Sequence, residues 1–204
     1  MSEVIRIYVE KKPGFDVEAR HTKVDLIENL GLKSIKDIRL VNRYDISGLS
    51  GEDFEKARST IFSEPNTDNV YEEKYPLPKG YMAFAMEYLP GQYDQRADSA
   101  AQCVQLLTQG ERPQVRTAKL VAVGGSITDA ELKKIEGYMI NPVESRLASF
   151  EKPETLSVEA KTPPDIVRVN GFTSWDESRL KKYHASMGFA MSFGGKGLIL
   201  REIP

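Results

Sequence analysis

The chain has 204 residues, 40% hydrophobic and 28% charged, with 28 basic against 30 acidic side chains and a net charge of −2. That balance gives no electrostatic footing for nucleic acid or an anionic membrane, and this length suggests one large domain or two small ones. A lone cysteine closes no internal disulfide, "MSEVIRIYVEKK" lacks the apolar core of a signal peptide, and no run reaches the roughly 18 apolar residues of a membrane helix, so a cytoplasmic protein is expected.

The first strand is predicted over "VIRIYVE" (4–10), where Ile5, Ile7 and Val9 share a face. Pro13-Gly14 then turns the chain into a helix over about 16–30, with Asp16 placed as its N-cap. A middle strand follows over 36–45, and its end carries Arg43 and Asp45, which either face a partner or close a strand-end turn. Ser50 is the N-cap of a second helix, with Asp53 as a weak capping-box residue and Phe54, Ala57 and Ile61 as an apolar stripe. Pro65 stops that helix, and a weaker strand lies near 68–73.

The same order then returns. A strand over 81–88 carries Met82, Phe84 and Met86 on one face, and Pro90-Gly91 follows it at a shift of 77 from Pro13-Gly14. A helix over about 94–108 is capped by Asp94, a shift of 78 from Asp16. After a strand over 117–124, Thr128 and Glu131 form a capping box, and Leu132, Ile135 and Met139 repeat the earlier stripe before Pro142 ends the helix. "LSGEDFEKARSTIF" and "ITDAELKKIEGYMI" align at a constant shift of 78, and a last strand is placed near 144–150. The expected fold is α/β (α+β): two fused repeats (about 1–77 and 78–150), each strand-helix-strand-helix-strand, forming a pseudo-twofold pair like a fused homodimer.

The Pro-rich, charged stretch 151–172 reads as a linker. Ser174 and Glu177 then open a helix within 173–193 that sets Leu180, Tyr183, Met187 and Ala190/Met191 on one side. Such a side, without a partner, would favour self-association.

Candidate chemistry is sparse. Cys103 lies well inside a helix beside an apolar face and reads as a partly buried, inert thiol. Gln92, Gln95 and Arg96 have no polar counterparts of their kind in the first repeat, so they mark either a binding interface or a solvated helix start. "GGS" at 124–126 lacks the lysine and further glycines of a phosphate loop and reads as a turn. His21 and His184 belong to no metal or nucleophile pattern. No catalytic, cofactor-binding or metal-binding residues are assigned.

At these motifs the chain resembles phosphoribosylformylglycinamidine synthase in its long single-chain bacterial form. The stretches that carry the resemblance are "RIYVEKKPGFDVEA", "RLVNRYDISG", "FSEP", "EYLPGQYDQRADSAAQC", "INPVESR", "EKPETL" and "FTSWDESRLKKYHASMGFAMS", in order over about 4–193. The resemblance implies two fused copies of the small PurS subunit followed by the family's linker region. It implies a docking scaffold for the ATP-using synthetase and glutaminase domains, which form an amidine from an amide with glutamine-derived ammonia. ATP and Mg2+ are implied for the full-length enzyme and not for this chain, and partners are implied to be those domains or separate subunits. Arg43, Asp45, Gln92, Gln95 and Arg96 are the expected interface. The family's catalytic domains have no counterpart here, Cys103 does not correspond to the glutaminase cysteine, and "GGKGLILREIP" (194–204) departs from the family pattern as a truncated or frame-altered end would.

Overall fold

The computed structural model describes residues 3–157, 168–187 and 193. The chain divides into two compact units, Met1–Val158 and Glu159–Pro204.

In the first unit the elements run β1 (Ile5–Lys11), α1 (Val17–Leu30), β2 (Ile35–Ser47), α2 (Gly51–Ala57), β3 (Asp68–Glu72), β4 (Tyr81–Tyr88), α3 (Gln95–Thr108), β5 (Gln114–Gly125), α4 (Asp129–Met139) and β6 (Ser145–Leu147). The strands form one antiparallel sheet in the order β3-β1-β2-β5-β4-β6. Read inward from either edge, the order is last, first and middle strand of a half, and the halves meet at β2 and β5.

The strand registers of the two halves coincide at a shift of 77. Ile7↔Tyr44 in one half is Phe84↔Val121 in the other, and Val9↔Val70 is Met86↔Leu147. At the join, Asn42 pairs with Lys119, its own counterpart at that shift, so a pseudo-twofold axis passes between them. The second helices, by contrast, start at a shift of 78. The first half absorbs the odd residue after α2 in a π-helical turn, Arg58–Phe62. Such a turn takes in one extra residue without ending the helix. Its consequence is a correction to the expected stripe: Phe62 reaches the core and Ile61 is only partly buried.

All four helices cover one face of the sheet, and they pair across the halves. Lys134 Nζ donates to the Leu30 carbonyl at 2.9 Å and Asn29 Nδ2 to the Tyr138 hydroxyl at 3.0 Å, tying α1 to α4. Phe54 and Phe62 pack with Ala100 and Val104 of α3 over Ile7, Val9 and Ile46. Leu26 of α1 and Ile135 of α4 share a second cluster with Ile38, Phe84, Val121 and Val123. Each apolar cluster draws on both halves, so burial of this surface ties their folding together.

Three of the expected caps form. Ser50 Oγ accepts from Asp53 N, Asp94 Oδ1 from Ala97 N at 2.9 Å, and Thr128 and Glu131 form the full capping box. Asp16 does not cap α1. Both Pro-Gly turns hold glycine at positive φ (94° at Gly14, 91° at Gly91), where a glycine has no steric penalty. One residue separates Gly14 from Asp16 and two separate Gly91 from Asp94, so Asp16 stays inside its turn, where it accepts from Gly14 N at 3.0 Å. At Gly124 the constraint is close approach: the Tyr81 ring lies over it, and a Cβ there would sit 2.5 Å from a ring carbon.

In the second unit, α5 (Glu177–Ser186) is capped by Asp176, which accepts from Arg179 N at 2.7 Å. Ser174, the expected cap, falls in the preceding 3-10 turn and donates to the Gly171 carbonyl. The Phe172, Trp175 and Tyr183 rings stack edge to face or tilted with centroids 5.3–5.9 Å apart, and Arg179 lies 4.0 Å over Trp175. Leu180 is buried and Met187 is half exposed. Ala190, Met191 and the atypical tail 194–204 lie outside the described residues. The expected linker start at 151 needs correction, because residues 151–157 belong to the first unit and Leu156 is buried there.

Candidate functional site

A groove of about 670 Å³ opens on the helical face beside the pseudo-twofold axis. Its floor comes from β2 and β5, with Asn42, Tyr44, Thr117 and Lys119; α3 forms one wall. The N-terminus of α3 is fixed by Asp94, whose second oxygen accepts from Thr117 N at 3.2 Å and Thr117 Oγ at 2.7 Å. Both Asp94 oxygens are therefore engaged in structure. From that anchor Gln95, Ser99 and Cys103 fall at four-residue spacing along the groove, with Arg96 and Ala100 in the next row.

Arg96 donates to the Tyr44 hydroxyl at 3.4 Å and makes no ion pair among the described residues. Burial opposes its charge, but the Tyr44 hydroxyl and the carboxylates of Glu18 and Asp94 outweigh it and hold the pKa above the ordinary guanidinium value. At the matching place in α1 stands Glu18, which accepts from Lys119 Nζ at 2.5 Å. The two halves thus present opposite charges at equivalent positions.

Cys103 is exposed, contrary to the expectation of partial burial. The stripe of α3 turned into the core is Ala97, Ala100, Ala101 and Val104, and Cys103 lies just off it. No histidine lines the groove to act as its base. Among the described residues no cluster of His, Cys, Asp or Glu has the makings of a metal site, and no helix is long and apolar enough to cross a membrane.

Of the five expected interface residues, only Gln95 and Arg96 share this groove. Gln92 lies apart, exposed on a shallower depression with Asp98 and Arg112, which pair at 2.5 Å. Arg43 and Asp45 are buried on the opposite face of the sheet (4% and 3% exposed). There Arg6 grips Asp45 with Nε–Oδ1 at 2.5 Å and a second bond at 2.8 Å, and Arg43 Nε stands 3.5 Å from the same carboxylate. Residues 149–151 close over this cluster: the Ser149 carbonyl accepts from Arg43 at 2.6 Å, and the Phe150 and Glu151 carbonyls accept from Arg6 at 2.7 and 3.3 Å.

Burial works against both cations. At Arg6 the bonds to Asp45 outweigh it and the pKa rises; at Arg43 burial prevails, reinforced by repulsion from Arg6, and the pKa falls. Arg43 Nε is buried without a hydrogen-bond acceptor. The strap extends further, since Lys152 pairs with Glu73 at 2.7 Å and Arg116 donates to the Leu156 carbonyl at 2.8 Å.

Sequence reasoning passed over Arg6, Tyr44, Asn42 and Lys119. The alternation of charges with apolar residues in "RIYVE" and "RLVNRYD" was the available signal for Arg6. Nothing local to those stretches announces that residues 149–157 cover that strand face. No protein-family model matches the chain, and no curated protein matches it.

Proposed function

We propose that the chain is a non-catalytic docking scaffold, equivalent to the N-terminal and linker portion of phosphoribosylformylglycinamidine synthase and built from two PurS-like repeats. The observation that carries this reading is the sheet: its two halves share every strand register at a shift of 77 and join through an axis at Asn42 and Lys119. A fused dimer of strand-helix-strand-helix-strand subunits, which the motif resemblance implies, requires such an arrangement. The crossed helix pairing supports it further, since it makes one rigid platform from two copies. ATP and Mg2+ belong, on this reading, to the synthetase domains that the platform braces.

A second form of the same role is a free-standing subunit that works in trans. Its support is that the first unit fills its own core and straps its own far face, so it needs no further domain to bury either. Both forms are tested by mixing the purified chain with synthetase and glutaminase polypeptides that lack this region. Association with at least one of them is expected, together with no ATP- and glutamine-dependent amidine formation by the chain alone. Turnover by the isolated chain, or association with neither polypeptide, overturns the reading.

A further inference from the structure

The groove between α3 and the sheet centre has a chemistry that narrows what docks there. Its one lining cation that makes no ion pair among the described residues is Arg96, which donates to the Tyr44 hydroxyl at 3.4 Å. The second cation, Lys119, is already neutralised by Glu18. Beside Arg96, the side chains of Asn42, Gln95 and Ser99 line the groove and take part in no hydrogen bond among the described residues. Apolar surface from Ile61, Met86 and Met139 supplies the rest of the lining. A guanidinium fork matches a carboxylate with two parallel bonds, and the neighbouring amides and hydroxyl suit a peptide backbone. Multiply charged anions fit poorly, because Glu87 and Glu144 also line the groove.

We propose that this groove receives a peptide segment of the partner protein, seating one Asp or Glu carboxylate on Arg96 and apolar neighbours against Ile61, Met86 and Met139. This deepens the docking role and rests on it. The first repeat has Glu18 at the equivalent position, paired with Lys119, and so offers no cation there for such a carboxylate. Arg96 is then a specificity residue of the interface, and Cys103 is a bystander on the groove wall.

Cys103 makes the proposal testable, since it is the only cysteine and lines the groove. Alkylation of the full chain by neutral iodoacetamide is followed by mass spectrometry with and without N-acetyl-leucyl-glutamyl-leucinamide. The expected result is severalfold slower alkylation at saturating peptide, no slowing by the glutaminyl analogue, and loss of protection in Arg96→Ala with partial retention in Arg96→Lys. Equal protection by both peptides overturns the carboxylate assignment. Failure of both peptides to slow alkylation at millimolar concentration overturns the groove as a peptide site. Because the probe needs no synthetase or glutaminase, its failure is distinct from failure of the docking role. Partner polypeptides that bind wild type and Arg96→Ala equally would retain the scaffold and remove the groove from it.

Discussion

Removing the Asp45 carboxylate should be among the most damaging single changes in this chain. Asp45→Ala leaves Arg6 and Arg43 buried together, with side-chain exposures of 1% and 5%, and takes away the carboxylate that bonds the Arg6 guanidinium, leaving Glu87 at 3.9 Å from Arg43 as the remaining ion-pair partner among the described residues. Breaking a buried pair by deleting one partner costs about 3–5 kcal/mol, because the surviving charge is uncompensated. Here two like charges survive, so the upper part of that range applies. With a urea dependence of about 2 kcal/mol per molar, the unfolding midpoint should fall by roughly 2 M.

The assay is urea titration followed by circular dichroism, with the slope checked for constancy. Arg43→Met tests the electrostatic cause. It deletes the cation whose Nε has no acceptor and leaves the Arg6–Asp45 fork intact. Introduced alongside Asp45→Ala, it should recover about 1–3 kcal/mol of coupling. A midpoint shift below about 0.5 M for Asp45→Ala, equivalent to about 1 kcal/mol, would refute the reasoning, as would an additive double mutant.

Further outcomes follow from the caps, the central strands and the titrating groups. Thr128→Ala should destabilise by about 1 kcal/mol, whereas Asp16→Ala should cost little because its side chain caps no helix; chemical denaturation of both variants checks the contrast. Gly124→Ala should cost about 1–3 kcal/mol by forcing the Tyr81 ring aside, and Tyr81→Ala in the same chain should make the glycine replacement cheaper, as thermal melts would record. The Glu131 pKa is depressed by the Thr128 backbone N–H first and then by the Ser34 and Thr128 hydroxyls. The unfolded chain therefore binds that proton more readily, so its contribution is complete above the ordinary glutamate value and fades as pH falls through the lower folded value. Glu131→Gln should flatten the acid limb of the stability profile.

The strands, the helices and the palindromic order of elements were legible because they rest on local signals. Period-2 alternation in "VIRIYVE", the Pro-Gly turns, and Thr128 with Glu131 each fix an element within a few residues. The shift of 77 in the sheet was not legible beside a shift of 78 in the second helices, since a π-turn leaves no mark in apolar spacing until a core decides between Ile61 and Phe62. Asp16 and Asp94 look alike in sequence, and one residue of turn length separates a spectator from a cap. Gln95 and Arg96 were visible as breaks in the repeat. Their floor was not, because Asn42, Tyr44 and Lys119 come together only where the two halves pair. Arg43 and Asp45 drew notice as charges at a strand end, yet their burial depends on the strap more than a hundred residues away, as with Arg43 and Ser149.

The docking role meets its most direct test in reconstitution. Synthetase and glutaminase polypeptides of a phosphoribosylformylglycinamidine synthase lacking the corresponding N-terminal region are titrated with this chain, and both complex formation by calorimetry and glutamine-dependent amidine formation are followed. The scaffold role requires a saturable complex, with amidine formation rising in step with the added chain and none from the chain alone. Absence of any complex with either polypeptide, or amidine formation by the chain without them, contradicts it.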